Sequence, residues 1–520
     1  MSKGRLLIYI LIIISSYQSL HSQVVQNSKA SKRKIELKGA DLDIIITDDI
    51  TGKEKHRFLG NVNLVHNNVI MWCDSAHFLP DLNQVTAYSK VHIEQGDTLD
   101  LYSDYLFYDG RSEKAKATGN VHLVDKETNL FTDAADYDVK NQVASYNDHG
   151  RIINAENTLT SIIGIYYVSQ SLFHFKDSVK IVNPEYIMTA DTMDYNTEEE
   201  TAYFTGPSEL RGDSIYLYCE KGWYDTKNDV TSIWKKALID NKEQIIKGDS
   251  LFFNKATGYG ESFGNISIQD TTNNLTVLGN YAWYYRDPES FMVTDRALFI
   301  QVSGSDSLFM HADTISAITV ADTTLKGYRL MSAYYGVRIF SKNMQAKCDS
   351  LSYSFQDSVI RLYTEPVIWS EENQLTSDSV ALFTKNRQPD RLELYGSAFV
   401  AAQVDTFRFN QLKGRTLTGY FRDNDLYKID IRGNGESIYY LLDEDNIAGL
   451  NPTRCSRIEV LIEDGKISEV TEFENAEGTL EPPDIPSPAA IRLKGFNWFD
   501  SIRPKKKEDL FIEKKEAESG

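Results

Sequence analysis

Acidic residues recur along this chain at a spacing that would serve either catalysis or architecture. Asp74, Asp104, Asp133, Asp191, Glu220, Asp249, Asp313, Asp349 and Asp378 each open or precede a short apolar-aromatic phrase such as Asp-Tyr-Leu-Phe-Tyr. General acid–base work needs one pair of carboxylates held in different environments. A carboxylate that returns with every repeat is instead a structural position, expected at strand entrances where it hydrogen-bonds turn backbone. Gly248-Asp249-Ser250-Leu251 has the letters of an esterase signature, which requires its Ser on a strand-to-helix turn. Here Phe252-Phe253 continue a strand and Asp249 falls in the repeat register. Arg211-Gly212-Asp213 spells an adhesion tripeptide with the neighbours of an ordinary loop. The nine His contain no His-Glu-x-x-His, and no Gly-rich phosphate loop stands between strand and helix. The reading is of a chain with no catalytic residues, no metal site and no cofactor.

Four Cys are present, and their spacing resembles no zinc site. Cys73, Cys219 and Cys348 immediately precede the acidic residue of a repeat, and Cys455 lies beyond them. Copies of one slot many rungs apart read as small buried side chains rather than bridged pairs.

The repeat itself is the strongest signal. Gly60-Asn61-Val62-Asn63-Leu64 returns as Gly119-Asn120-Val121-His122-Leu123 and as Gly264-Asn265-Ile266-Ser267-Ile268. The first apolar residues of the copies (Val62, Val91, Val121, Val179, Ser208, Ala237, Ile266, Ala297, Val337, Val367, Ala398) step by about 29 residues or a multiple, with one long step of 40. A fixed period of that size marks a stacked, solenoid-like array. Val, Ile, Thr, Tyr and Phe alternate with polar residues throughout, so the array is all-β.

Residues 1–22 read as a secretory signal peptide, with Lys3 and Arg5 before the apolar run Leu6 to Ile14. Residues 23–40 are a polar leader, 41–440 the array, 441–480 a strand-rich capping segment, and 481–520 a Pro-rich linker and charged tail. The formal charge of −20 disfavours nucleic acid and anionic membrane surfaces as partners. No later run reaches the length of a membrane span.

Alternation places Val62/Leu64, Val91/Ile93, Val121/Leu123, Val179/Ile181, Ile266/Ile268, Val337/Ile339 and Val367/Trp369 as pairs on one side of their strands. Stacked, they form apolar stripes. Two outcomes stay open: a filled solenoid core, or an apolar trough between two splayed sheets.

Signal peptide, all-β repeat and the phrases Gly-Asn-Val-x-Leu and Asp-x-x-x-Tyr resemble the OstA-like family, the domain of the lipopolysaccharide-transport proteins LptA and LptC and of the periplasmic part of LptD. The resemblance is clearest from Phe58 to Tyr137 and recurs to about Tyr440. It implies an elongated β-jellyroll, two sheets folded in a V with stacked rungs of about 29 residues, ending in a short non-regular charged tail. It also implies a periplasmic protein, sometimes peripheral at the outer membrane, that shields lipid A acyl chains and bridges toward that membrane. The seven pairs above become candidate acyl-chain contacts, and LptC-like and LptD-like components joined through edge strands become expected partners. The array is much longer than an LptA-type protein: roughly 13 periods, on the order of 60 Å at ~4.8 Å per rung if each period supplies one. An exported structural or adhesive solenoid with a filled core is the alternative. A polysaccharide-processing β-helix ranks last, for want of a carboxylate cluster.

Overall fold

The computed structural model describes residues 34–512, apart from 51, 97–98, 127, 154–156, 273, 304–305, 322–326, 386–387, 423–424, 444–445, 464–465 and 483–490. The expected signal peptide and most of the polar leader lie outside the described residues.

All 38 strands belong to one sheet, and every pairing is antiparallel to the neighbour. The chain opens with β1 (Glu36–Gly39) and β2 (Leu42–Thr47), which lie end to end along β3 (Glu54–His66). Then β4 (Val69–Leu79), β5 (Gln84–Gln95), β6 (Leu99–Asp109), β7 (Lys114–Asp125) and β8 (Thr128–Asp138) follow as a meander, each paired with the next. The 29-residue period is therefore a hairpin of two rungs. Ten rungs are split into two short strands, so the 38 strands make about 28 rungs. At ~4.8 Å per rung the stack is on the order of 130 Å long. One rung per period would have made it half that length.

Each rung bends at its middle. In β3, Gly60 and Asn61 both take left-handed backbone conformations (φ 71° and 46°), and the pairing with β4 skips from Leu59 to Val62. The same paired conformation recurs at Ser89-Lys90, Gly119-Asn120, Asp177-Ser178, Lys235-Lys236, Gly264-Asn265, Asp295-Arg296, Tyr335-Gly336, Thr364-Glu365, Gly396-Ser397 and Gly433-Asn434. Glycine and Asn suit it because neither carries a branched Cβ into that region. The line of corners divides the sheet into a first limb, containing Phe58 and Ala76, and a second limb, containing Val62 and Met71. Both limbs contribute to the same core, so the sheet is folded along its corners into a V.

The recurring carboxylates sit at these corners. The expected strand-entrance position holds for Glu220, Asp313 and Asp378, which directly precede Lys221–Asp225, Thr314–Val320 and Ser379–Lys385, but not where the rung is continuous: Asp74 lies inside β4 and Asp104 inside β6. The Asn120 side-chain amide donates to Asp104 at 2.7 Å, Asn265 to Asp249 at 2.9 Å and Asn61 to Asp41 at 3.0 Å. Ser89 donates to Asp74 at 2.8 Å, and Lys236 pairs with Glu220 at 2.5 Å. The two halves of the repeated phrase are thus the two sides of one corner, on successive rungs. A Cβ at Gly119 would lie 2.8 Å from the Asp104 carboxylate, and one at Gly264 2.2 Å from that of Asp249. Ser250 is part of a continuous strand, Gln244–Asn254, not of a strand-to-helix turn. The four Cys are free, buried thiols. Cys73, Cys219 and Cys348 share the inward slot before the corner with Ser103, Thr132, Ser161 and Ala190, where only small side chains fit beside the bend.

The strands of 441–478 continue the stack without a break: Asp425–Asp443, Asn446–Glu463 and Lys466–Phe473 pair in turn. The tail is non-regular except for short 3-10 turns at Asp500–Ile502 and Lys507–Phe511, but it is docked. Residues Ile491 to Phe511 run back along the outer face of the second limb.

Candidate functional site: an apolar trough, laced shut at one end

Of the fourteen apolar candidates, twelve face the interior of the V. Val62, Leu64, Val91, Ile93, Val121, Leu123, Val179, Ile181, Ile266, Val337 and Ile339 are buried in it, and Ile268 is half-buried. Val367 and Trp369 are the exceptions. The corner pair Thr364-Glu365 puts Pro366 and Ile368 on the inward parity, and Ile368 pairs with inward Ala346. Val367 and Trp369 therefore point outward, buried with Ile502 of the docked tail in a cluster of their own.

The N-terminal third of the V is closed by polar bridges between the tips of its limbs. The stripe Val62, Leu64 ends in His66, whose Nδ1 meets the Tyr108 hydroxyl at 2.6 Å. The stripe Val91, Ile93 ends in Gln95, which accepts from Tyr137 through Oε1 and donates to the Val139 carbonyl at 3.3 Å. The stripe Val121, Leu123 ends in Asp125, which accepts from Tyr166 at 2.5 Å. Each bridge joins the second limb to the first some 42 residues on, and all six side chains are buried. Burial pushes the Tyr108, Tyr137 and Tyr166 phenols well above their ordinary range, and nearby carboxylates push them further. They are donors at any physiological pH, which a bridge to a carboxylate or amide oxygen requires.

Behind the bridges the V is filled. Tyr166, Phe173 and Phe175 stack face to face at 3.9 and 5.3 Å between ring centres. The cavity between Ile152, Leu159, Ile181, Met188, Phe173 and Tyr195 leaves about 30 Å³ for the centres of water molecules, room for about two waters.

Beyond residue 200 the lacing stops. The Tyr224 hydroxyl stands in phase with Tyr108, Tyr137 and Tyr166, yet it donates to Asp229 in its own hairpin at 2.8 Å. No side-chain hydrogen bond crosses the mouth from there onward among the described residues. Most inward positions near the mouth are now hydrocarbon and only half-buried: Leu210, Ile239, Ile246 and Phe253, then Ile268, Leu275, Phe291 and Phe299, with Thr231 and Tyr284 among them. Positions next to the corners stay buried, as with Ile233, Ala237, Ile266 and Val293. The result is a trough with a buried floor and exposed apolar walls.

Sequence reasoning missed the lacing, although its signal was present. His66, Gln95 and Asp125 are polar residues on the apolar parity at the end of three successive stripes. Their partners are the last residue of the Asp-x-x-x-Tyr phrase or its counterpart one rung on.

A second brace lies outside. The Gln411 amide donates to the Ile491 carbonyl at 3.2 Å and its oxygen accepts from Leu493 N at 2.9 Å. Gln374 does the same for Asn497 (2.8 Å) and Phe499 (2.7 Å). Arg503 reaches Gln345 Oε1 at 2.7 Å, and Arg338 reaches the Leu510 carbonyl at 3.1 Å. Phe409 packs on Phe496 and Trp498, and Phe511 packs on His311. Each Gln satisfies a carbonyl and an N–H two residues apart, as a neighbouring strand would.

The stacked rungs, bent corners and apolar interior define an elongated all-β jellyroll with an internal groove. Residues 32–191 match the family model described as OstA-like protein. Among solved structures the chain is similar to LptH from Pseudomonas aeruginosa, described as the LptA-homologous periplasmic component of the conserved lipopolysaccharide transport device. The identity is 14%, the match covers 20% of this chain and 79% of that one, and the TM-score is 0.19. No curated protein matches the chain.

Proposed function

We propose that this protein is a non-enzymatic, periplasmic carrier of lipopolysaccharide, holding lipid A acyl chains in the apolar trough and bridging toward the outer membrane. The observation that carries the reading is the unlaced stretch of trough in a chain whose residues 32–191 match the OstA-like family model. Apolar wall surface contributes about 25 cal/mol per Å² when covered, so an acyl chain laid along it gains more with each rung it spans. The net charge of −20 fits a cargo held by burial rather than by pairing with its phosphates.

The N-terminal edge supports the partner half of the proposal. Among the described residues β2 pairs with β3 alone, along one of its edges. Leu42, Ile45 and Ile46 are about half exposed there (50%, 57% and 49%). An open apolar edge strand is a template for strand addition, and LptC-like or LptD-like components are the proposed takers.

A filled structural solenoid is the second reading, favoured by the packed interior of the N-terminal third. Depletion of the protein in its native cell separates the two. The carrier reading predicts lipopolysaccharide accumulating at the inner membrane within a few generations. Normal surface lipopolysaccharide together with a mechanical envelope defect would reject it.

A further inference from the structure

Three features of the array change over the same stretch, from Ser208 to about Thr294. The inner bridges end before it, with Asp125–Tyr166. The outer brace begins after it: the docked tail ends on the first strands beyond, where Phe511 lies against His311 and the Arg296 guanidinium sits 4.9 Å over the Phe511 ring. The buried core also divides within it. One cluster runs from Ile35 to Leu251 and the other from Ile266 to Val460.

Between two braced ends, this stretch buries far fewer apolar side chains than residues 54–138 do, and among the described residues no side-chain bridge joins its limbs. A region with few buried apolar contacts opens at lower free energy than its neighbours.

From this we infer that the V opens sideways between Ser208 and Thr294, and that this stretch is a lateral gate through which aliphatic chains enter the trough. The occupant follows from the wall. Ile239, Ile246, Phe253, Ile268 and Phe291 offer hydrocarbon to the mouth, with the hydroxyls of Thr231 and Tyr284 beside them on the same parity, so most of this wall suits a saturated chain better than a sugar ring. The laced N-terminal third excludes threading from that end: a chain travelling inward from β1 would have to break three buried bridges in turn. That third is a sealed collar which carries the edge strand. The inference rests on the carrier reading above and adds to it where the cargo enters.

Hydrogen exchange on the full mature chain tests it in two arms. In the free protein, amides of residues 208–294 should exchange at least ten-fold faster than those of 54–138. Equal rates overturn the gate, whatever lipid does. In the second arm purified lipopolysaccharide is added, with phospholipid vesicles as the comparison acyl source. Protection centred on 208–294 supports the gate; protection of 54–138, or uniform protection, overturns it. Fast exchange without protection by either lipid overturns the occupant together with the carrier reading, while the opening seen in the first arm stands. Ile246→Gln with Ile268→Gln, neutral because the two residues are cross-strand partners, should weaken lipid protection at least ten-fold with an unchanged far-UV spectrum. Unweakened protection would overturn the assignment of the wall.

Discussion

The Tyr166 hydroxyl donates to the Asp125 carboxylate across the mouth of the V, at 2.5 Å and with both groups buried. It is the third of a set with His66–Tyr108 and Gln95–Tyr137, and the set marks where the interior is closed. Tyr166→Phe leaves a buried carboxylate without its donor, and an unsatisfied buried group of this kind costs roughly 1–3 kcal/mol. Tyr137→Phe should cost less, because Gln95 keeps its bond to Val139. Denaturant titration followed by near-ultraviolet dichroism checks both. An unchanged midpoint for Tyr166→Phe would show that the bridge does not hold the limbs.

The same tyrosines set an alkaline limit. Burial pushes the Tyr146 phenol up to about 12 from 10.0, and Tyr108, Tyr137 and Tyr166 are pushed beyond it. A raised folded-state value means that the folded chain binds protons more tightly than the unfolded one. The stability is therefore complete below pH about 10 and falls as pH climbs from about 10 through about 12 and above. Melting temperature against pH, with tyrosinate absorbance recorded in parallel, should show unfolding and ionisation together. Ionisation well before unfolding would contradict the burial of these rings.

Corners should respond to substitution as coupled pairs. Gly119→Ala places a Cβ 2.8 Å from the Asp104 carboxylate at φ 77°, and the left-handed conformation alone costs roughly 1–2 kcal/mol. Asp104→Ala removes the carboxylate part of the clash, leaving its own Cβ at 3.0 Å, and also removes the Asn120 hydrogen bond. In a double-mutant cycle the pair should be less destabilised than the sum of the singles, since the carboxylate part of the clash vanishes. Strict additivity would show that the carboxylate does not pack on this corner.

The docked tail gives an optical readout. Trp369 is fully buried (0% exposed) on the outer face, with Ile502 of the tail packed in its cluster. Ending the chain at residue 490, or combining Gln374→Ala with Gln411→Ala, should red-shift tryptophan emission and raise its quenching by acrylamide about two-fold or more. Because the rungs beneath keep their pairings, far-UV dichroism should hardly change. No change in quenching would mean that the tail does not cover this face in solution.

Thiol chemistry follows from the small-residue slot. Burial raises the Cys73 thiol to about 11 and those of Cys219 and Cys348 to about 12. At pH 8 a disulfide reagent should find none of these three in the native protein and all four Cys after unfolding. Rapid native labelling of Cys219 would place it outside the core.

Much of this architecture is legible in the sequence, and the failures have physical causes. The 29-residue phrase reports the corner, because Gly-Asn tolerates paired left-handed conformations and the following Val-x-Leu must turn inward. The two strands of each period are legible as well, but that each is a rung of its own is not, since the second carries its corner on Asp, which resembles a strand-entrance residue. The parity slip at Val367 and Trp369 arises where Val367-Ile368-Trp369 is apolar on both faces. The tail covers the outer face there, so alternation vanishes from the sequence. The lacing was hidden because a buried His, Gln or Asp is recognisable only once its Tyr three rungs away is known.

The most direct measurement of the central claim is photo-crosslinking in living cells from single positions in the full chain. Inward Ile246 and Ile268, in the unlaced trough, should yield lipopolysaccharide adducts. Outward Ile245 on the same strand, and inward Ile93 and Leu123 behind the bridges, should yield little or none. Equal adducts from Ile245 and Ile246, or none from any inward position while transport proceeds, would contradict the account.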